Sequence, residues 1–143
     1  MTQIRVMNKT RESVLGSRVR LADRWWERAR GFLGRPRPSG GEGILLSPCR
    51  AVTMIGMAFP LDIVFLDRDG AVVAIYAGLR PGRMTRFHRT ASYALELPEG
   101  SIQASGTRMG DRVVWMPADY DTDVIAAVEP RNGADAAAGG GSR

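Results

Sequence analysis

Polar and apolar residues alternate over residues 3–7 (Gln-Ile-Arg-Val-Met), the period-two pattern of a half-buried strand. The alternation returns over Ser13–Leu21 (SVLGSRVRL) after a turn at Lys9–Glu12. Over residues 22–30 the period lengthens. Trp25, Ala29, Phe32 and Leu33 fall at i, i+4, i+7 and i+8, which predicts a helix with Asp23 as its N-cap and Gly31 and Gly34 as stop signals. Residues 35–43 (RPRPSGGEG) hold two prolines and three glycines and form a loop before a short apolar strand at Ile44–Leu46.

The clearest hairpin spans Leu61–Tyr76. PLDIVFL and AVVAIY are β-branched and aromatic runs, and Asp67-Arg68-Asp69-Gly70 turns the chain between them, with Gly70 free to take positive φ. Residues 92–97 (SYALEL) make another strand. Pro98-Glu99-Gly100 opens a short turn or helix that ends near Gly106, and Met109-Gly110-Asp111 turns into a last strand at Arg112–Met116. A peripheral element is expected over 119–129 and a disordered tail over 130–143 (PRNGADAAAGGGSR). Short strands spaced by turns predict a mainly β fold over residues 1–118: one compact antiparallel sandwich or barrel-like domain with one or two short helices. Helices do not alternate with strands, so a doubly wound sheet is disfavoured.

Composition narrows the class. A chain of 143 residues, 44% hydrophobic and 24% charged, has ordinary globular usage. At this size it buries roughly two-thirds of its unfolded surface and needs no disulfide or metal staple. One cysteine excludes an intrachain disulfide, and one histidine excludes a multi-histidine metal centre. There is no run of eighteen apolar residues and no apolar leader, so the expectation is a cytoplasmic protein without a membrane span. No P-loop or dinucleotide fingerprint occurs, so neither cofactor nor metal is implied. The net charge is +5, and nineteen of twenty basic residues are arginine. Residues 1–50 carry eleven basic and four acidic groups, whereas residues 51–143 carry nine and eleven. Because those arginines are interleaved with Val, Leu and Trp, a solvated surface is favoured over a nucleic-acid face.

Three groups of residues could carry chemistry. Asp62 and Glu96 each interrupt an apolar strand, and alternation opposes each to its apolar neighbours, so both could line one concave sheet face. Two neighbouring carboxylates can split their pKa values for acid–base work or hold a ligand, although alone they would under-coordinate a metal. Cys49 lies beside Arg50, which would favour the thiolate, but the sole histidine, His88, is distant in sequence, and a buried inert thiol is the simpler reading. The loop Arg80–Arg89 places Arg80, Arg83, Arg86 and Arg89 around Phe87 with no acidic residue between them, a candidate anion site or simply a solvated loop. Trp25, Trp26 and Trp115 are expected in the core, as are Met54 and Met57 unless they soften a pocket wall.

Four motifs in order resemble a known family. They are Arg28-x-Arg30-Gly31-Phe32-Leu33-Gly34-Arg35; Thr53-x-x-Gly56-Met57-x-x-Pro60-Leu61-Asp62-Ile63-Val64-Phe65-Leu66-Asp67-x-x-Gly70-x-Val72; Ala91-x-x-Ala94-Leu95-Glu96-Leu97-Pro98-x-Gly100; and Gly106-x-x-x-Gly110-Asp111-x-Val113. Order and spacing resemble the bacterial and archaeal "domain of unknown function 192" over residues 3–117. The resemblance implies a small β-rich sandwich and no established activity. It marks Cys49, Thr53, Met57, Asp62, Glu96, Gly110 and Asp111 as positions to test. Many relatives read Val-His-Thr where this chain has Val52-Thr53-Met54, which weakens Cys–His chemistry at Cys49. Many relatives also resemble exported or lipid-anchored proteins, and this chain shows neither signal.

The leading expectation is a small-molecule binding module with a polar pocket at Asp62 and Glu96, bounded by segment 49–62 and strand 92–97. An enzyme using those carboxylates as acid and base is the second reading. Anion or nucleic-acid contact through Arg80–Arg89 is the third.

Overall fold

A computed structural model describes residues 2–119. Seven strands form one curled sheet: β1 (Thr2–Asn8), β2 (Ser13–Ala22), β3 (Glu42–Leu46), β4 (Leu61–Leu66), β5 (Val72–Leu79), β6 (Tyr93–Pro98) and β7 (Val113–Pro117). Two short helices accompany them, α1 (Trp25–Arg30) and α2 (Ser101–Ser105). The order across the sheet is β5-β4-β6-β3-β2-β1-β7. The fold is therefore mainly β, as the alternation indicates. The expected 119–129 element and 130–143 tail lie outside the described residues, apart from Asp119.

One pairing departs from the antiparallel expectation. β2 and β3 run parallel, with Arg18 opposite Glu42 and Ala22 opposite Leu46. A parallel pair needs a long crossover, and the chain supplies one through α1 and the Pro/Gly loop. Helix α1 starts later than the period predicts. Arg24, not Asp23, occupies its N-cap, and the Arg24 N–H donates to Glu27 Oε1 at 3.4 Å.

The sheet's edges, β5 and β7, approach each other at one end. Val72 N–H donates to Asp111 O at 2.8 Å, and Val113 N–H donates to Gly70 O at 2.8 Å. The sheet thus curls into a half-barrel. Its interior is filled by Val6, Val19, Leu45, Val64, Leu95 and Trp115, with Ile102 of α2 packed against them. A second core lies on the other face of β3, β4 and β6, where Ile44, Leu46, Ile63, Phe65 and Ala94 are covered by Phe32, Val52, Met54 and Phe59. These central strands are buried on both faces, which is why they read as continuous apolar runs. Trp115 is core as expected, whereas Trp26 is half exposed beneath the Arg24 guanidinium.

Candidate functional site

The site is built where α1 turns back onto the outer face of the sheet. Gly31 follows the helix at φ +50°, and a Cβ there would lie 2.9 Å from Glu96 Oε1. Only glycine lets the backbone cross this close to the carboxyl. The Phe32 backbone N–H donates to the Glu96 carboxylate. From the other side, segment 47–60 crosses the same face, held by Ser47 N–H to Ala22 O at 3.0 Å and Cys49 N–H to Ser92 O at 3.1 Å. Between the two segments lies a cavity of about 210 Å³ with Arg28, Phe32, Cys49, Thr53, Met57 and Glu96 on its walls.

Glu96 is the unusual group. It is 5% exposed, and its Oε1 has no hydrogen-bond partner among the described residues. Burial pushes its carboxyl up to about 7, against which the Phe32 N–H acts only in part. A carboxyl that is half protonated near pH 7 in a buried wall can donate or accept a hydrogen bond, or move a proton. A broader depression of about 490 Å³ lies beside Thr2, Asp23 and Glu27, but among the described residues no buried unpartnered polar atom faces it.

Cys49 sits beside Glu96 with its thiol donating to Ala51 O at 3.2 Å. Burial, and then the nearby Glu96 charge, raise the thiol to about 11. This corrects the expectation that Arg50 favours a thiolate. Arg50 Nε turns away to Ala91 O at 3.2 Å, and the arginine that acts on the thiol is Arg28. A thiol so raised is a poor nucleophile. His88 is engaged elsewhere, 2.7 Å from Tyr76 Oη with its ring against Phe65. Thr53 Oγ1 accepts the Ile55 N–H at 3.2 Å on the cavity's outer lip.

The expected pairing of Asp62 with Glu96 is not formed. In the β4–β6 ladder Ile63 lies opposite Glu96, and Asp62 opposite Leu97. Residues directly opposite share a face, so the two carboxylates point to opposite sides of the sheet. Asp62 accepts three backbone N–H groups: Gly78 at 2.8 Å, Gly100 at 3.1 Å and Ile102 at 2.8 Å. It ties β5 and the start of α2 to β4, and nothing is left vacant around it. Alternation holds within each strand, but the apolar sets of β4 and β6 lie on opposite faces of a sheet that buries both.

Gly110 and Asp111 also lie away from the cavity. Gly110 takes φ +86° in the turn before β7. Asp111 Oδ2 accepts from Asn8 Nδ2 at 3.0 Å, Arg11 Nε at 2.9 Å and Arg108 N at 2.9 Å. Those bonds, Arg11 first, hold its carboxyl down to about 2. Of the seven positions marked by resemblance, Cys49, Thr53, Met57 and Glu96 meet at one cavity, whereas Asp62, Gly110 and Asp111 hold the fold. The turn Gly31-Phe32-Leu33 and Arg28 complete the wall. In the sequence these residues mark only a helix exit, and nothing in their pattern shows that the turn closes over Glu96.

A curled mixed sheet with a small cavity beside Glu96 on its outer face defines a small β-rich domain. The family model for DUF192, described as an uncharacterised ACR, matches residues 6–115, and the chain belongs to that family. A UPF0127 protein of Thermococcus sibiricus is 30% identical over 131 residues, covering 89% of this chain and 84% of that protein. A UPF0127 protein of Pyrococcus abyssi is 29% identical over 116 residues, covering 78% and 97%. Among solved structures, a protein of unknown function from Novosphingobium aromaticivorans superposes with TM-score 0.68 at 25% identity, covering 79% of this chain and 84% of that one. A candidate transcription regulator from Sinorhizobium meliloti gives TM-score 0.66 at 25% identity, covering 78% and 91%.

Proposed function

We propose that this protein is a binding module for a small molecule seated in the Glu96 cavity. The observation that carries the reading is Glu96 Oε1: a buried, unpartnered oxygen on a cavity wall. Buried polar groups in folded proteins almost always have a partner, and a bound ligand would supply one. The cavity is smaller than the roughly 300–1,000 Å³ of drug-sized sites, which suits a metabolite of modest size. Phe32, Leu46, Met57 and Leu61 offer an apolar body, and Met57 can adjust its shape. The fitting ligand places a hydrogen-bonding N–H, O–H or carbonyl group at Glu96. Arg28 near the mouth suits an anionic group at the other end. Among the described residues no helix is long and apolar enough to cross a membrane.

A second reading rests on the same carboxyl. An acid that titrates near pH 7 is suited to general acid–base work, so a reaction on the bound molecule would use Glu96 as its proton carrier. Asp62 takes no part, and Cys49 supplies no ready thiolate.

A thermal-shift screen of metabolites at pH 6.5, run on wild type and Glu96→Gln, tests the reading. A ligand at about 100 times its Kd stabilises by about 2.7 kcal/mol, so a hit raises the midpoint by several degrees. The account predicts hits that Glu96→Gln weakens and Asp111→Asn does not. Hits that respond equally to both variants, or protection of amides remote from the cavity, would contradict it.

A further inference from the structure

We propose a second contact site, independent of the cavity: the ridge formed by residues 80–89 docks on the surface of an anionic phospholipid bilayer. The ridge is a fixed platform. Gly82 N–H donates to Met54 O at 2.9 Å, Met54 N–H to Arg83 O at 2.7 Å, Thr85 N–H to Val52 O at 2.9 Å and His88 N–H to Arg50 O at 2.8 Å. Arg86 N–H donates to Tyr76 Oη at 3.1 Å, behind which the His88 ring is packed on Phe65. Backbone groups are thus satisfied inward, and side chains are presented outward.

What they present has two components. Arg80, Arg83, Arg86 and Arg89 are all exposed, and among the described residues no carboxylate pairs with any of them. Between them Met84 is 64% exposed and Phe87 67% exposed. Met84 bridges to Thr53, two residues from Ile55, which is 63% exposed. Exposed large apolar side chains on a rigid loop mark a contact surface, and here they sit inside a field of unneutralised positive charge. That combination fits a bilayer interface: guanidinium groups bind lipid phosphates while Met84, Phe87 and Ile55 enter the headgroup–acyl boundary. A single-stranded nucleic acid fits less well, since it is held by successive aromatic stacking platforms and Phe87 is the sole aromatic exposed on the ridge.

The test is co-sedimentation of the full chain with vesicles. One set is phosphatidylcholine alone; in the other, about a third of the lipid is phosphatidylserine, the anionic class that attracts basic segments. The proposal predicts binding to the phosphatidylserine vesicles only, weakened by salt. At about 1 kcal/mol per arginine, R83A/R86A reduces partitioning roughly twentyfold to thirtyfold. M84S/F87S also weakens it, and Glu96→Gln leaves it unchanged. These side chains are exposed, so the variants are expected to keep the wild-type melting point, which the same samples report. Equal binding to both vesicle types, no binding at low salt, or an undiminished R83A/R86A each overturns the proposal. So does a single-stranded oligonucleotide that binds tightly and is indifferent to M84S/F87S, which would assign the ridge to nucleic acid.

Discussion

Asp62→Ala is expected to melt roughly 15 °C below wild type, a loss of about 4 kcal/mol. Three N–H groups converge on this carboxylate, from Gly78, Gly100 and Ile102. The residue is 1% exposed, so water cannot readily replace the lost acceptor. Charge-assisted hydrogen bonds are worth about 1.5–3 kcal/mol each, and a donor left buried without a partner costs about 1–3 kcal/mol. Gly100 is exposed and recovers water, which keeps the total below the sum of three. Asp62→Asn is expected to fall between the two, because its amide nitrogen can accept nothing from the facing donors. Urea denaturation of the three proteins measures this. Stability unchanged in Asp62→Ala, with ligand binding lost, would return Asp62 to the functional site.

Glu96 is expected to make stability depend on pH in the opposite sense from a paired acid. Its folded-state carboxyl is raised from 4.5 to about 7, so the folded protein holds the proton more tightly than the unfolded chain. That contribution is fully present below pH 4.5, declines as pH rises toward 7, and is absent above it. A shift of this size corresponds to about 3 kcal/mol across the window. Asp111 runs the other way. Held down to about 2 from 3.8, it contributes above pH 3.8 and is lost only as pH falls through 2. The two windows do not overlap. His88, whose proton affinity burial lowers from 6.5, acts in the opposite sense as pH falls below 6.5, so a decline as pH rises from 4.5 to 7 comes from Glu96 and is opposed by His88. Glu96→Gln, neutral at every pH, is expected to flatten it, with unfolding free energy measured from pH 4 to 8. An unaltered slope in Glu96→Gln would assign the decline to another group.

Much of this architecture was legible in residue order because strand signals are local. LDIVFL, VVAIY and YALEL are β-branched or aromatic runs bounded by turn residues, and each became a strand close to its expected span, β5 running three residues beyond Tyr76. The parallel β2–β3 pair was not legible, since pairing across a nineteen-residue connection leaves no period in either strand. The carboxylates failed for a related reason. Alternation assigns a residue to one of two faces, but which faces coincide between neighbours depends on register. The register places Asp62 opposite Leu97. Cys49 was legible as a lone thiol and Met57 as a possible pocket wall, but Thr53 only by likeness to a family, and nothing in Pro48-Cys49-Arg50 or Thr53-Met54-Ile55 foretells that the turn at Gly31 will close over them. The arginine-rich loop was legible as charge; its rigidity was not, because it comes from hydrogen bonds to segment 50–54.

One buried carboxyl, whose Oε1 lacks a partner among the described residues, carries the proposed site. Carbon-13 NMR titration of the Glu96 side-chain carboxyl observes that group directly, with Glu96→Gln identifying its resonance. The structure predicts a midpoint near 7 in the free protein. A cavity ligand that hydrogen-bonds to the acid should move that midpoint, and one that sits elsewhere should not. A midpoint at the ordinary glutamate value, about 4.3, would mean that water or another donor already reaches Oε1. The cavity would then have no claim on a ligand.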